Sequence, residues 1–366
     1  MPVRIAHVVG ALDYGGVETN ALNLIRYLPP DEFISSVIYT GESESARKED
    51  FEKLAAFAHC PYIPGGRVDF IRRLRSVFRT SRIEVSLSYA FGNHFLVCAA
   101  ARLAGVERSY VRVAGSPSRG RKNTLRSILL AHAARPVCSG EIAVSGVIRE
   151  ELARSIHLPA RRIRMIPNGC DTEGILERAT RARAGRTFTG EIVVLMVARM
   201  DDAKDQGTLI HAVAQVARGG VKIRVDLAGD GPERAAHERL CQREGVSEIV
   251  CFLGNRRDVP ELLGASDIAV LATRTEGMPN TLLEAMSART PIVATDIPIC
   301  REVLRGGDCG VLVPPGDANA LAEAIHSIST DGTLRRKLTD SAFQRVTEIY
   351  GRTRMVEEYA RLLRSA

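Results

Sequence analysis

Short runs of Val, Ile and Leu alternate with longer segments of helical periodicity along most of this 366-residue chain. This alternation predicts parallel strands joined by helices, because parallel neighbours need a crossover connection and are covered on both faces. In the first half we predict strands at residues 5–9, 34–39, 85–88, 110–114, 141–144 and 164–167. In the second half we predict strands at 192–197, 225–228, 249–252, 268–271, 291–294 and 310–313. The fold class is therefore α/β, with a doubly wound unit in each half.

The length predicts two domains, since a single core stops growing at about 250–300 residues. Residues 168–190 are rich in Arg, Ala, Gly and Thr and lack a strand signal, so we expect the linker there. The predicted parts are a domain at 1–168, a linker at 169–190, a second domain at 191–345 and a C-terminal helix at 346–366. Packing of that helix on the first domain is left open. Open α/β sheets bind ligands beyond the carboxyl ends of their strands, so the loops there should carry function.

Composition narrows the functional classes. Hydrophobic residues make up 45% of the chain and charged residues 25%, which is typical of a globular protein. The apolar segment at 94–106 contains Arg102 and is shorter than the about 20 residues that span a bilayer. The eight cysteines show no CxxC spacing, so buried free thiols are favoured over a zinc site. We expect a cytoplasmic protein without a signal peptide or a metal.

The net charge of +7 fits three kinds of partner: nucleic acid, an acidic membrane or an anionic substrate. The chain has no Trp, and few Tyr lie among its basic residues. Because bases stack on aromatic side chains, a nucleic-acid partner is not predicted.

The first predicted strand is followed by Gly15 and Gly16, ahead of a helix predicted at 20–28. Such a pair lets the backbone approach an anion at a helix N-terminus, although a tight turn explains the glycines equally well. The spacing is not GxGxxG and no P-loop lysine follows, so neither a dinucleotide site nor an ATPase is predicted.

Arg199 and Lys204 follow the first strand of the second half, before a helix that begins near Gln206. Two cations at a strand edge can hold a diphosphate and stabilise the charge that grows on it as a bond breaks. A solvated loop explains them equally well when this loop is taken alone. Asp201 and Asp202 lack a third carboxylate, so they are interpreted as a surface loop.

Residues 275–286 read TEGMPNTLLEAM and predict a helix that begins near Pro279. An acidic group is favoured at a helix N-terminus, which explains Glu276 without any ligand. Glu284 lies farther along the helix, at a separation that suits two hydroxylated rings on either side of a diphosphate.

These features together resemble the family-4 glycosyltransferases, which are retaining nucleotide-sugar enzymes of the GT-B fold. The resemblance is carried by Gly15–Gly16, Arg199 with Lys204, AGDGPER at 228–234 and Glu276-x7-Glu284. It extends over nearly the whole chain through IPNGCD at 166–171, FLG at 252–254 and GVLVPPG at 310–316. It implies two Rossmann-like doubly wound domains that face a central cleft, with the acceptor on the first and the nucleotide sugar on the second.

The resemblance also implies residue roles. Arg199 and Lys204 would bind the diphosphate and Glu276 the transferred sugar, which makes these three the implied catalytic residues. Glu284 would bind the ribose hydroxyls. The implied donor-binding residues are Gly15, Gly16, Gly254, Gly277, Met278, Pro279, Asn280 and Glu284. No cofactor is implied beyond the nucleotide sugar itself.

The chain departs from the family pattern at several positions. Ala114 or Gly115 stands where similar enzymes often carry a histidine, so His94 and Arg112 become the candidate acceptor contacts. A lone His ahead of an apolar helix is more often structural. Asp205 follows Lys204 where Gly is usual, and Pro298-Ile299 stands where two glycines are often seen. None of these changes removes a charge from the donor site.

Two basic clusters occur in the first half. Residues 70–82 read FIRRLRSVFRTSR, with apolar residues on one helical face and arginines around the other. The second cluster comprises Arg119, Arg121, Lys122 and Arg126. A basic amphipathic helix binds anionic lipid, while an ordinary packed helix in an Arg-rich protein is the alternative. Peripheral contact with the inner face of a membrane is therefore left open.

We predict a retaining, metal-independent glycosyltransferase of polysaccharide, glycolipid or natural-product synthesis. Its donor is a nucleoside-diphosphate sugar such as a UDP or GDP sugar, and its acceptor is a small molecule, a saccharide or a lipid-linked group. The alternatives are an epimerase or sugar phosphorylase of the same architecture and a nonenzymatic nucleotide-sugar sensor. Hydrolysis is disfavoured, because glycosidase carboxylates flank the scissile bond whereas Glu276 and Glu284 share one loop and helix.

Overall fold

The computed structural model describes residues 1–12, 15–41, 47–63, 65–89, 93–116, 121–187 and 190–364, except for the side chains of 121–124, 126 and 127. Contacts within the chain divide it into two compact units. The first unit comprises Met1–Gly169 and Thr353–Ala366, and the second comprises Cys170–Arg352. Each unit is built around a parallel sheet with helices packed against it.

The first unit contains a seven-stranded sheet. Its strands are β1 (Val3–Val9), β2 (Phe33–Tyr39), β3 (Ala56–His59), β4 (Val85–Ser88), β5 (Arg108–Val113), β6 (Gly140–Ala143) and β7 (Ile163–Met165). Its helices are α1 (Gly16–Tyr27), α2 (Lys48–Glu52), α3 (Arg67–Thr80), α4 (His94–Ala104), α5 (Arg121–Ala134) and α6 (Gly146–Arg154). The strand order is β3-β2-β1-β4-β5-β6-β7, so the direction of winding reverses between β1 and β4.

The second unit contains a six-stranded parallel sheet of order β10-β9-β8-β11-β12-β13. Its strands are β8 (Ile192–Val197), β9 (Ile223–Ala228), β10 (Val250–Gly254), β11 (Ile268–Leu271), β12 (Ile292–Thr295) and β13 (Val311–Val313). Its helices are α7 (Thr172–Ala184), α8 (Gln206–Arg218), α9 (Arg234–Glu244), α10 (Val259–Ala265), α11 (Asn280–Ser287), α12 (Pro298–Val303), α13 (Ala318–Thr330) and α14 (Gly332–Ile349). The final helix of the chain is α15 (Arg352–Arg364). Winding reverses here between β8 and β11, and the two sheets confirm the predicted fold class.

The central strands are buried on both faces, which explains their continuous apolar sequences. In β8, IVVLMV, the four residues 193–196 are all buried. Strand β3 lacks such a run: its sequence is AFAH, its first and last residues are exposed, and it lies at the edge of its sheet. Because β3 has no continuous apolar run, the sequence analysis did not predict this strand.

The segment 169–190, interpreted as a linker, contains α7. This helix packs against α10 so closely that a Cβ on Gly264 would overlap the carbonyl oxygen of Ala179. Both helices belong to the second unit. Helix α7 also has a local start signal, since the Asp171 carboxylate accepts from the Gly174 N–H at 3.3 Å.

Helix α15 belongs almost entirely to the first unit. Its apolar face lies in the same core as β1, β2 and α1 through Met355, Val356, Tyr359, Ala360 and Leu363. In the part of the chain that the structure describes, no helix is both long and apolar enough to cross a bilayer.

Leu363→Ala tests the contribution of α15 to the first unit. The Leu363 side chain is fully buried, so its truncation should lower the free energy of unfolding by about 2–5 kcal/mol through lost burial and a residual cavity. Leu103→Ala is the control, since Leu103 is 59% exposed and should change stability by less than about 0.5 kcal/mol. Urea denaturation followed by circular dichroism measures both. Equal effects of the two substitutions would contradict the assignment of α15 to the core.

Candidate functional site

The candidate site lies where the winding of the second sheet reverses. Strands β8 and β11 are adjacent and parallel there, although their last residues, Val197 and Leu271, lie 74 positions apart in sequence. The loop after β8 carries Arg199 and Lys204, and the loop after β11 carries Glu276. Because the carboxyl ends of parallel strands meet at one sheet edge, these two loops become neighbours.

Lys204 and Glu276 are in direct contact across the two loops. The Lys204 Nζ donates to Glu276 Oε1, and the side chains are only 20% and 15% exposed. Lys204 ends a short 3-10 helix, Asp202–Lys204, that precedes α8. The structure thus brings together two of the residues predicted from sequence as catalytic, one cation and one carboxylate.

Arg199 lies in the same loop as Lys204 but has a different environment. Its side chain is 72% exposed and pairs with Asp201 at 2.6 Å. Its backbone is fixed, because Gln206 Nε2 donates to the Arg199 carbonyl oxygen at 2.9 Å. The guanidinium therefore extends into solvent from an anchored loop.

The segment AGDGPER at 228–234 holds the loop of Arg199 from the other side. The Met200 N–H donates to the carbonyl oxygen of Asp230 at 3.0 Å, and the Glu233 N–H donates to the carbonyl oxygen of Met200 at 3.1 Å. A Cβ on Gly231 would overlap that Met200 carbonyl oxygen. Glycine is required at this position because two backbone segments approach closely.

Arg274 joins the two loops, and the sequence analysis did not identify it. Its Nε and Nη2 donate to the two carboxylate oxygens of Asp205 at 3.2 Å each, and its Nη1 donates to Asp202 at 3.1 Å. The Arg274 N–H also donates to the carbonyl oxygen of Ala203 at 2.8 Å. Ala203 and Asp205 flank Lys204 on one loop, and Arg274 itself is two positions before Glu276 on the other.

Helix α11 begins at Asn280, directly after Pro279 as predicted. The Thr281 Oγ1 donates to the carbonyl oxygen of Val197 at 3.1 Å and so joins the first turn of α11 to the end of β8. Gly277, Met278 and Pro279 form a buried turn ahead of the helix, and Asn280 is partly buried. The predicted donor-binding segment therefore lies beside the strand that leads to Arg199.

Glu284 lies one turn into α11 and is mostly buried. Burial raises the pKa of its carboxyl group to about 7, because the charged form loses its hydration. Its charge also helps to raise the pKa of the neighbouring Cys170 thiol, after burial, which is the larger cause. Ionisation of the Glu284 carboxyl group is therefore unfavourable at this position.

The other predicted donor-binding glycines occupy turns in both units. Gly15 precedes α1, which begins at Gly16 rather than at residue 20 as predicted. The early start places the glycine pair at the helix N-terminus itself. Gly254 ends β10 with a φ of +65°, and its carbonyl oxygen accepts from the Gly229 N–H at 2.7 Å.

The two candidate acceptor contacts are buried in the first unit. His94 begins α4 and is 2% exposed. Arg112 in β5 is also 2% exposed, donates to Asn168 Oδ1, and lies 5.7 Å from the centre of the Tyr89 ring. In the second basic cluster, Arg119 and the side chains of Arg121, Lys122 and Arg126 lie outside the described residues. An acceptor role for His94 and Arg112 stays a prediction.

All eight cysteines are free, and only Cys251 is not fully buried. Within the described ranges, no group of three or more His, Cys, Asp or Glu side chains is arranged to hold a metal ion. The candidate site is therefore described by its own cations, carboxylates and backbone.

Comparison with family models covers most of the chain. Residues 14–174 match the model described as Glycosyltransferase Family 4, and residues 178–345 match Glycosyl transferases group 1. The two matches follow one another along the chain and include every charged residue predicted for the site.

Individual relatives are more distant. The putative glycosyltransferase EpsF of Bacillus subtilis (strain 168) is 25% identical over 316 residues, which span 80% of this chain and 79% of EpsF. The lipopolysaccharide core biosynthesis glycosyltransferase LpsE of Rhizobium meliloti (strain 1021) is 29% identical over 215 residues, which span 54% of this chain and 63% of LpsE. The crystal structure of Anabaena Alr3699/HepE in complex with UDP-glucose has a TM-score of 0.86 at 20% identity and covers 99% of this chain and 100% of that one. At this identity the likeness concerns the fold.

Glu284→Gln tests the environment of this carboxyl group. Its folded pKa of about 7 exceeds the ordinary value of 4.5, so the folded state binds more protons than the unfolded state between these pH values. Stability contributed by this group is therefore lost as pH rises across that window, on the order of 3 kcal/mol in total. Glu284→Gln should match the wild type at pH 5 and have a melting temperature several degrees higher at pH 8, measured by scanning calorimetry.

Glu261→Gln is the matched control. Hydrogen bonds from Arg178 lower the pKa of Glu261, so loss of its charge should give no gain in stability at pH 8. A pH-independent difference between Glu284→Gln and the wild type would contradict the raised pKa of Glu284.

Proposed function

We propose that this chain, which belongs to the family-4, group-1 glycosyltransferases, transfers a sugar from a nucleoside-diphosphate sugar to an acceptor hydroxyl. The chain is a retaining enzyme of the GT-B fold. The contact of Lys204 with Glu276 at the edge of the second sheet carries this proposal. A cation and a carboxylate beside one another suit a ligand with a diphosphate next to a hydroxylated ring. Open α/β sheets bind ligands where their winding reverses.

Each charged residue has a part in the proposed reaction. Lys204 and Arg199 bind the diphosphate and stabilise the negative charge that develops as the bond from the sugar to the diphosphate breaks. Glu276 accepts hydrogen bonds from hydroxyls of the transferred sugar, and Glu284 accepts them from the ribose. The buried turn at 277–280 lies next to the sugar and phosphates.

Donor binding has to replace the contact between Lys204 and Glu276. Both side chains are mostly buried, so neither charge can lose its partner without a substitute. A phosphate oxygen supplies that substitute for Lys204, and sugar hydroxyls supply it for Glu276. A nucleoside diphosphate alone replaces only the first, so the intact donor is the better ligand.

The relatives suggest the classes of donor and acceptor. HepE has been crystallised with UDP-glucose, EpsF is named as a putative glycosyltransferase, and LpsE is a glycosyltransferase of lipopolysaccharide core biosynthesis. We propose a UDP or GDP sugar as donor and a saccharide or lipid-linked saccharide as acceptor, with the acceptor bound by the unit that contains residues 1–169. The free cysteines fit a cytoplasmic enzyme.

Lys204→Ala tests the proposed role of Lys204, and Lys222→Ala is its control. Loss of Lys204 should lower kcat by about 10²-fold, because the leaving diphosphate loses a fixed cation. Lys222 is exposed and lies before β9, at the opposite edge of the sheet, so its loss should leave kcat unchanged. Release of nucleoside diphosphate is measured for UDP, GDP, ADP and dTDP sugars after a thermal-shift screen has identified the preferred donor.

Product analysis separates the alternatives. Unchanged kcat in Lys204→Ala would contradict the proposed site. A wild type that converts the donor to an isomer without an acceptor is an epimerase, and one that requires phosphate is a phosphorylase. Donor binding without any turnover indicates a sensor.

We further propose that α3 contacts an anionic membrane. Arg72, Arg75 and Arg79 are exposed on one face of α3, and Val68 on the same face is 73% exposed. The opposite side of the helix is packed in the core through Phe70, Leu74 and Phe78. An outward face of cations with an apolar side chain is complementary to a bilayer that contains acidic lipid.

Replacement of Arg72, Arg75 and Arg79 by Gln should weaken binding to acidic vesicles by about 100-fold, at about 1 kcal/mol per cation. Sedimentation with vesicles of phosphatidylcholine and phosphatidylglycerol at low salt measures this. The control replaces Arg218, Arg239 and Arg243 by Gln, which removes the same charge from exposed positions on α8 and α9. No sedimentation of the wild type would remove the membrane proposal and leave the transferase proposal intact.

A further inference from the structure

We infer that Arg274 and Asp205 are a positioning pair that fixes the distance between the Lys204 ammonium and the Glu276 carboxylate. This inference rests on the proposed function of the site and adds two residues to it. Neither residue would touch the donor, and both would act through the loops that carry Lys204 and Glu276.

Arg274 connects the two loops by side chain and by backbone. Its guanidinium forms a two-pronged contact with Asp205, at 3.2 Å from each nitrogen to its carboxylate oxygen. Its N–H and the Thr273 Oγ1 both donate to the Ala203 carbonyl oxygen, at 2.8 and 2.9 Å. Since Ala203 and Asp205 are the residues on either side of Lys204, the loop of Arg274 holds the backbone before and after Lys204.

The backbone conformation of Asp205 indicates a functional role for its carboxylate. Asp205 has a φ of +51°, in the left-handed region that glycine adopts without cost. Asp205 directly follows the 3-10 helix and precedes α8, yet its side chain forms no hydrogen bond to cap α8. Its side chain is 7% exposed and directed to Arg274. A left-handed turn alone would be satisfied by glycine, so the carboxylate is retained for the contact with Arg274.

The pair has little value as a source of stability. Arg274 is 52% exposed, and an ion pair with one exposed partner contributes about 0–1 kcal/mol to folding. A two-pronged contact does restrict the relative orientation of the two side chains, because the planar guanidinium donates to both carboxylate oxygens in only one geometry. The expected consequence of losing the pair is therefore a change in site geometry rather than unfolding.

Asp205→Gly and Arg274→Gln test the inference, each assayed for kcat and for affinity. Asp205→Gly removes the carboxylate and relieves the left-handed strain, so its melting temperature should equal or exceed that of the wild type. Both variants should nevertheless lower kcat by about 10- to 100-fold, the size expected when a reacting group is displaced by about 1 Å. The Kd for the nucleoside monophosphate of the preferred donor should stay within about threefold, because that ligand lacks the phosphate next to the sugar.

The double variant and two further variants complete the design. Asp205→Gly with Arg274→Gln should have the kcat of either single variant, since each single variant already removes the contact between Arg274 and Asp205. Arg274→Lys should recover only part of the activity, because a lysine makes a single-pronged contact. Arg224→Gln is the matched control: Arg224 forms a two-pronged contact with Asp226 in β9 at 3.1 and 3.0 Å, with 42% and 9% exposure, and its loss should leave kcat unchanged.

The outcomes separate this inference from the proposed function. Wild-type kcat in Asp205→Gly or Arg274→Gln would overturn the inference, provided that Lys204→Ala is impaired in the same assay. Additive losses in the double variant, or a loss of monophosphate affinity that parallels kcat, would also overturn it, because they indicate general loosening of the site. Failure of Lys204→Ala to affect turnover would instead contradict the proposed function itself.

Discussion

The adjacency of β8 and β11 is the constraint on which the site depends. These strands are neighbours because the sheet winds outward in both directions from this point, and their carboxyl ends release two loops side by side. Opposite charges on those loops, at Lys204 and Glu276, then meet with little exposure to water. Because Lys204 and Glu276 lie 72 positions apart in sequence, their contact follows from the topology of the sheet.

The sequence predicted the fold well because most strands are buried on both faces. Continuous apolar runs such as β8 leave a clear signal, and all six strands of the second unit were predicted. Strand β3 was missed because an exposed edge strand needs no such run. The order of the strands also could not be predicted, since periodicity identifies elements but does not identify their neighbours. The contact between β8 and β11 was therefore known only from the structure.

The site was predicted from sequence only as far as the resemblance extended. Lys204 and Glu276, 72 positions apart, were assigned to one ligand and do lie in contact. Arg274 was missed because its partner Asp205 is 69 positions away and neither spacing nor charge indicates the pair. One signal was present: Asp205 stands where Gly is usual after the lysine. Read with the left-handed φ of +51°, that departure indicates a side chain retained against a backbone preference.

Three features distinguish the candidate residues from ordinary surface groups. Glu284 has a pKa raised to about 7 by burial, Asp205 has a strained backbone, and the charges of Lys204 and Glu276 satisfy one another. In the proposed donor complex, hydroxyls that donate hydrogen bonds would favour the ionised form of Glu284, and the diphosphate would replace Glu276 at Lys204. The backbone of Asp205 would stay as it is, because Asp205 does not touch the donor. The energetic cost of burying the ionised Glu284 carboxylate would then be offset by donor binding. A residue in the left-handed region and a desolvated carboxylate, both close to the point where the second sheet reverses its winding, are therefore physical indications of the site.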